Sequence, residues 1–513
     1  MDEMFCFQCQ ETAQNSGCTV RGVCGKTAAT AGLMDELIRQ LKIIAMTRKA
    51  DRETGRFAAK SLFMTLTNTN FDDSRLQQQL REAGALVGNR IANVAGAVCE
   101  TEDEDIRSLR ELLTYGTKGV AAYAHHAAVL GHEDDGVYEF IFRALAGAAV
   151  ENSAEKLTAL IMECGSAAVN AMALLDRANT ASFGNPRRTV VRTGVGSRPG
   201  ILVSGHDLLD LAQLLEQSKG CGIDIYTHGE MLPAHYYPEL SKYSHLYGNY
   251  GGSWHRQESE FASFWGPVLV TSNCLIPVRE GYRSRIFTTG VAGYPGIPHI
   301  PDGVDGAPKD FSQLIAAAQD SPLPEVLEKG SITGGFAHGQ LFAMLDEVVA
   351  AVKAGQIRRF IVMAGCDGRH RSREYYTAVA AQLPADTVIL TAGCAKYRYL
   401  KSVSGEISGI PRVLDAGQCN DCYSLAVLAL KLKELFKVDD VNKLPISFDI
   451  AWYEQKAVAV LLALLSLGFR NIRLGPTLPA FISPAVAGLL GEAFGLRGIT
   501  SPEEDVAAMM KGE

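Results

Sequence analysis

Arg359-Phe-Ile-Val-Met-Ala-Gly-Cys366 and Thr387-Val-Ile-Leu-Thr-Ala-Gly-Cys394 share one pattern: a short apolar run that stops at a glycine and then a thiol. Runs of this length and β-branched content, each followed by a helical pattern, read as buried strands of a parallel sheet. Two further runs in the C-terminal third end alike, Val413-Leu-Asp-Ala-Gly-Gln-Cys419 and Phe448-Asp-Ile-Ala-Trp-Tyr-Glu454. Three precede them: Ile201-Leu-Val-Ser-Gly-His206, Ile223-Asp-Ile-Tyr-Thr-His-Gly-Glu230 and Pro267-Val-Leu-Val-Thr-Ser-Asn-Cys274. In open parallel sheets ligands bind beyond the carboxyl ends of the strands. The seven ends offer four thiols (Cys274, Cys366, Cys394, Cys419), two carboxylates (Glu230, Glu454) and one imidazole (His206). We expect them to share one crevice and to hold an iron cluster.

The chemistry of that donor set explains the expectation. A thiol just past a strand and ahead of a helix meets backbone N–H groups and the helix dipole, so a lowered pKa is expected there. Gly365, Gly393 and Gly417 let the backbone turn tightly beside each cysteine. Thiolates alone would close a cubane or a zinc site. Added nitrogen and hard oxygen donors suit iron bonded to oxygen and leave a coordination position open. Taken singly, Glu230 and Glu454 read as well as salt bridges or helix caps. Their shared position at strand ends favours the ligand role.

Bulk properties narrow the class. At 513 residues the chain is long enough for roughly three domains. With 47% hydrophobic and 21% charged residues it is an ordinary globular composition. A net charge of −8 argues against a nucleic-acid partner, which needs a basic footprint. The start, Met1-Asp-Glu-Met-Phe-Cys6, carries no secretory pattern, and the apolar stretch Ala457 to Phe469 is too short to span a bilayer. We therefore expect a cytoplasmic protein with no membrane partner, whose twelve cysteines serve metal or redox chemistry.

A second group of thiols opens the chain: Cys6, Cys9, Cys18 and Cys24, with Gly17, Gly22 and Gly25 beside them. Iron–sulfur clusters and zinc both accept four cysteines. Only the first pair is tightly spaced, unlike a zinc knuckle, and with the strand-end thiols downstream this favours a cubane cluster.

From Lys26 to about Ala181 the periodicity is helical, with Leu33, Leu37, Ile38, Leu41 and Ile44 on one face and Asp73 or Ser74 as an N-cap. His125, His126 and His132 read as surface or core residues, and Cys99 and Cys164 as inert core thiols. A Pro/Gly/Arg-rich linker from Gly184 to Gly200 marks a change of architecture. Its Gly194-x-Gly196-x3-Gly200 precedes a strand, the wrong context for a dinucleotide fingerprint. Electrons are thus expected from an external protein donor. Strands and helices then alternate, with a second break near Lys353–Gln356. The expected fold is multidomain α and α/β: an N-terminal helical bundle with its cluster loop (1–183), then two Rossmann-like parallel-sheet α/β domains (184–352 and 353–513). Cys221 reads as a loop thiol, and Trp254 and Trp265 as packing residues. The run Arg369-His-Arg-Ser-Arg373 reads as a solvated helix start or as a dock for an acidic donor.

Together Cys6–Cys24, Ser204-Gly-His-Asp207, His228-Gly-Glu-Met-Leu-Pro233, Thr271-Ser-Asn-Cys274, Gly365-Cys-Asp-Gly368, Gly393-Cys394, Gly417-Gln-Cys-Asn-Asp-Cys422 and Trp452-Tyr-Glu-Gln-Lys456 resemble the hybrid cluster protein, or hydroxylamine reductase, family over essentially the whole chain. The resemblance implies a fold related to carbon monoxide dehydrogenase and two clusters. Cys6, Cys9, Cys18 and Cys24 would hold a [4Fe-4S] cluster, as the compact spacing resembles that form rather than the wider [2Fe-2S] form. His206, Glu230, Cys274, Cys366, Cys394, Cys419 and Glu454 would hold a hybrid [4Fe-2O-2S] cluster, with a persulfide on Cys366. Cys422, three residues after Cys419, is the weaker ligand choice.

The expected reaction is reduction of a small nitrogen-oxide substrate, hydroxylamine, to ammonia and water, with Glu230, Glu454, His206 or Lys456 supplying protons. As a lone lysine, Lys456 would otherwise be surface charge. Nitric oxide reduction at the same site, or nitric oxide sensing and protein S-nitrosylation, are the alternatives. A carbon monoxide dehydrogenase activity would need nickel and further N-terminal cysteines. The oligomeric state stays open between monomer and dimer.

Overall fold

The computed structural model describes residues 4–88, 94, 96 and 103–513, so Cys99 lies outside the described residues. Six helices come first: α1 (Ala28–Thr47), α2 (Arg52–Met64), α3 (Asp73–Val87), α4 (Glu104–Val129), α5 (Asp135–Val150) and α6 (Ala154–Phe183). Each opens on a side-chain cap, from Thr27, Asp51, Asp72, Asp103, Asp134 and Ser153 in turn, which satisfies otherwise orphaned first-turn N–H groups. The cap of α3 falls one residue earlier than the sequence suggests. Asp72 accepts the N–H groups of Ser74 and Arg75, while Asp73 enters the first turn and accepts the Thr30 hydroxyl at 2.7 Å.

The apolar stripe of α1 faces inward as expected, with Leu37, Ile38, Leu41 and Ile44 buried and Leu33 half-buried. The long apolar helix α6 passes a length and composition test for a membrane span. Leu157, Ile161, Ala168, Met172 and Leu175 are nevertheless buried within the protein, where α6 packs on α4 and on the late helix Gln455–Ser466. That late helix wedges against both so closely that a Cβ on Gly165 would lie 2.2 Å from the Leu462 carbonyl oxygen.

Two six-stranded parallel sheets follow. In the first the order is β4 (Leu246–Asn249), β3 (Asp224–His228), β2 (Gly200–Ser204), β5 (Val268–Val270), β6 (Ile286–Thr289) and β7 (His299–Ile300). An antiparallel pair, β1 (Thr189–Arg192) with β8 (Ser331–Gly334), flanks it. In the second the order is β13 (Val413–Asp415), β10 (Thr387–Thr391), β9 (Arg359–Val362), β14 (Ile446–Ala451), β15 (Ile472–Gly475) and β16 (Arg497–Gly498). A small hairpin of β11 (Glu406–Ile407) and β12 (Ile410–Pro411) stands apart.

Each sheet grows outward from its first strand in one direction and then in the other. The reversals fall between β2 and β5 and between β9 and β14. Such a reversal leaves a crevice where neighbouring connections diverge, and ligands bind there. His206 and Cys274 leave the first reversal point, and Cys366 and Glu454 leave the second. A helix follows β2, α7 (Leu208–Gln217), capped by Asp207. After β10 and β13 the chain turns instead into short 3-10 segments, Cys394–Arg398 and Cys419–Asp421.

The strand-end loops of the second sheet are laced to one another. Gly365 N–H donates to the Ala392 carbonyl at 2.8 Å, Cys366 N–H to Ala451 at 2.7 Å, Gly393 N–H to Gly417 at 3.1 Å and Ala395 N–H to Gly365 at 3.0 Å. Gly393 adopts φ +88°, and a Cβ on it would sit 2.4 Å from the Gly365 carbonyl oxygen. Both the backbone and the space therefore demand glycine. Gly393→Ala is expected to cost about 2–4 kcal/mol and to lower the melting temperature seen by calorimetry; an unchanged melting temperature would contradict this lacing.

Candidate metal centre

His206, Glu230, Cys274, Cys366, Cys394, Cys419 and Glu454 all line one cavity. Three come closest: ligand atoms of His206, Glu230 and Cys419 lie within 4.8 Å of one another. A single ion with thiolate bonds of about 2.3 Å would draw its ligands to within about 4 Å of each other. Seven donors round one cavity are more than a single tetrahedral ion takes and suit a multi-atom group instead.

Hydrogen bonds hold the donors in place. His206 N–H donates to Ser272 Oγ at 2.9 Å, and its ring Nδ1 lies 3.1 Å from the same oxygen. Its Nε2 lies 3.0 Å from Lys456 Nζ and 3.7 Å from Glu230 Oε2. Glu230 Oε2 accepts the Cys419 N–H at 2.8 Å, while Glu230 Oε1 is buried without a hydrogen-bond partner. Glu454 caps the helix Gln455–Ser466, accepting Lys456 N–H at 2.8 Å on Oε2; its Oε1 takes Asn273 Nδ2 at 3.3 Å. The cap reading of Glu454 is thus realised within the cavity wall.

Burial sets the charge states. It pushes the thiols of Cys274, Cys366 and Cys394 up and that of Cys419 up to about 12. The carboxylate of Glu454 acts the same way on Cys274 and Cys366, and that of Glu230 on Cys394. This reverses the expected lowering. The strand-end position supplies short 3-10 turns at Cys394 and Cys419 rather than full helix dipoles, and desolvation outweighs what remains. Burial also raises Glu230, and burial with the Lys456 ammonium keeps His206 neutral, the form that ligates metal. Buried thiols and an unpartnered carboxylate oxygen are costly unless a cation joins them. By that test the residues fit an iron–sulfur group with oxygen and nitrogen ligands.

Lys456 is not surface charge. It is 1% exposed, and its Nζ donates to Asn273 Oδ1 at 2.9 Å and lies 3.7 Å from Glu454 Oε1. Burial works against its proton, but the surrounding thiols and carboxylates, Cys419 and Glu454 foremost, hold it above the ordinary lysine range.

The N-terminal thiols form a second group. Cys6 and Cys18 pair through N–H···O bonds of 3.0 and 2.8 Å; Cys9, Cys18 and Cys24 are buried and Cys6 half-buried. Burial raises Cys9, and the neighbouring Cys24 and Cys6 add to it. Gln10 N–H donates to the Tyr453 carbonyl at 2.9 Å, which ties this loop to the residue before Glu454. Arg373, fully buried, donates to Gln10 Oε1 at 2.8 Å, to the Trp452 carbonyl at 2.7 Å and to the Cys366 carbonyl at 3.1 Å. Arg369 pairs with the Glu11 carboxylate at 2.7 Å. The basic run is therefore divided: Arg373 is buried and structural, Arg369 is exposed but paired with Glu11, and His370, Arg371 and Ser372 are exposed.

Several site residues carried no ligand signal in the sequence. Asn273 and Gln418 stand directly before Cys274 and Cys419; Gln418 Nε2 donates to the carbonyls of His206 (3.0 Å) and Glu230 (2.8 Å). Their place in the strand-end motifs was the available clue. Trp254 and Tyr453 also line the cavity, with ring centroids 4.6 Å apart. Trp265, expected to pack, is instead 49% exposed under the Arg285 guanidinium. Cys164 is a buried thiol in α6, as expected, and Cys422 lines an apolar cavity adjoining Cys366 and Cys419.

The chain has relatives in sequence and in fold. The model of the Prismane/CO dehydrogenase family matches residues 4–507. A hydroxylamine reductase of Chlorobaculum tepidum is 56% identical over 99% of this chain and 100% of its own length. One of Nitratidesulfovibrio vulgaris is 55% identical over the same shares. Among solved structures, carbon monoxide dehydrogenase IV from Carboxydothermus hydrogenoformans superposes with a TM-score of 0.60 at 15% identity, over 99% of this chain and 92% of that one. A nickel-free carbon monoxide dehydrogenase from Thermococcus sp. AM4 gives 0.62 at 15% identity, over 99% and 90%. At that identity the structures speak for the fold, and the family match with the full-length relatives speaks for descent. The family model spans nearly the whole chain and these relatives match it end to end, so the chain belongs to the Prismane/CO dehydrogenase family.

Proposed function

We propose that this protein is a hydroxylamine reductase, taking NH2OH with two electrons and two protons to ammonia and water. The observation that carries the reading is the meeting of four thiols, two carboxylates and an imidazole from two sheets in one cavity. Relatives matched along their full length and named hydroxylamine reductase support the substrate. The protein is an iron–sulfur oxidoreductase, and a small substrate and a redox partner follow from that activity.

In finer detail, Cys6, Cys9, Cys18 and Cys24 would hold a [4Fe-4S] cluster. His206, Glu230, Cys274, Cys366, Cys394, Cys419 and Glu454 would hold the hybrid [4Fe-2O-2S] cluster, with the persulfide on Cys366. Cys366 borders both the site cavity and the apolar cavity behind it, which leaves space for an added sulfur. When bound, this group supplies electrons and an iron position for the N–O substrate.

The chain's own residues do the rest. Trp254 and Tyr453 close the cavity wall with aromatic surface and keep bulk water from the reacting bond. Lys456 holds a proton beside His206 Nε2 and Glu454 and is the donor for the departing oxygen. Asn273 fixes its ammonium, and Glu454, 3.7 Å away, stabilises the charge. His206 and Glu230 complete the polar face of the cavity.

Purified anaerobically, the protein is expected to contain iron and acid-labile sulfide without nickel. His206→Ala and Glu454→Ala are expected to lose iron from the second site and at least about tenfold in hydroxylamine turnover; either variant with full iron and full turnover would refute the ligand assignment. Lys456→Met is expected to keep its iron and KM while kcat falls by about a hundredfold or more, the usual worth of a positioned proton donor. A kcat equal to that of the parent would remove Lys456 from the mechanism.

A further inference from the structure

We propose that the mouth of the N-terminal cysteine loop is a docking surface for an acidic electron-carrier protein of the ferredoxin type, an inference that rests on the redox function proposed above. Cys6 is the least buried of the four loop thiols. Around it apolar side chains stand in solvent: Phe5 is 42% exposed, Val20 84% and Val23 43%. The Cys6–Cys18 pairing sets Phe5 and Thr19–Val20 along one rim, and the Phe5 ring leans over Gly17 and stacks edge-on at 5.0 Å from Phe7. Three exposed apolar groups on one short loop around these thiols favour an interaction surface over chance exposure.

Cations border this rim. Arg369 donates to the Val23 carbonyl at 3.0 Å, which brings the segment Arg369–Arg371 against the loop. The Arg369 charge is met by Glu11, but Arg21 and Arg371 are exposed and neither makes an ion pair with a carboxylate among the described residues. On a chain of net charge −8, an acidic protein is repelled by most of the surface and drawn to this rim. An apolar centre with a charged border is the anatomy of a transient encounter interface. Arg373 and the Gln10–Tyr453 bond then connect the docking loop to Cys366 and the second site.

The test uses the holoprotein, the double variant Arg21→Glu/Arg371→Glu, and a purified acidic bacterial ferredoxin as probe. Binding is titrated at low and at moderate salt, and turnover is driven in parallel by reduced ferredoxin and by reduced methyl viologen, which needs no docking site. Parent binding is expected to weaken about tenfold as salt rises. The variant should bind at least about tenfold more weakly at low salt, with iron content and viologen-driven turnover unchanged. Equal binding by parent and variant, absence of binding by the parent, or binding indifferent to salt would each overturn the docking surface. Charge-dependent binding without hydroxylamine turnover from either donor would instead sink the functional reading and leave the docking surface standing.

Discussion

Gathering seven metal-seeking side chains, most of them buried, around one cavity is the constraint to which the rest of this structure answers. Each of those groups loses hydration there, and the hydrogen bonds inside replace it only in part: Glu230 Oε1 has no partner, and the thiols are pushed towards their protonated form. A bound cationic cluster repays that cost only if the donors are already held apart at the right places. Flexible loops would not do this. Strand ends do, because six of the seven donors follow strands paired on both sides, and only Cys419 follows an edge strand, β13.

Two sheets with opposed reversal points make the convergence possible, and the lacing of Gly365, Gly393 and Gly417 makes it compact. The same tightness explains the helical region. The helix Gln455–Ser466, whose cap is Glu454, is buried between α4 and α6, so the position of one donor is set by helix packing far from the cavity. The N-terminal loop is fastened in a similar way. Lys118 donates to Gln8 Oε1 at 2.6 Å, and Gln455 Nε2 donates to the same oxygen at 2.9 Å. The first thiol group is thus held against the helix that begins beside the second. Tyr453 touches both sides of this arrangement: its carbonyl accepts the Gln10 N–H of the N-terminal loop, and it lines the cavity of the second thiol group.

Much of this was legible in the chain. Apolar runs ending in glycine and a donor predict buried parallel strands, and β2, β3, β5, β9, β10, β13 and β14 stand where those runs are. The α1 stripe was equally readable from periodicity. Local signals failed where a residue's state depends on distant partners. Lys456 looks like any surface lysine until Asn273, His206 and Glu454 surround it. Arg373 looks like part of a solvated basic run until Gln10 and the Cys366 carbonyl claim it. The thiols were expected to be acidified by helix termini, yet desolvation on burial prevails.

The amino-acid order alone determined which elements form and which donors each strand end carries, because strand burial, capping and glycine turns are decided by neighbours a few residues away. It also determined that thiol, imidazole and carboxylate would be offered together, since the motifs carry them. Only the tertiary structure decided that the two reversal points face each other, that one cavity collects all seven donors, and that burial rather than the local dipole sets their charge. Those outcomes arise from contacts between residues as far apart as His206 and Lys456, whose 3.0 Å approach no local pattern encodes.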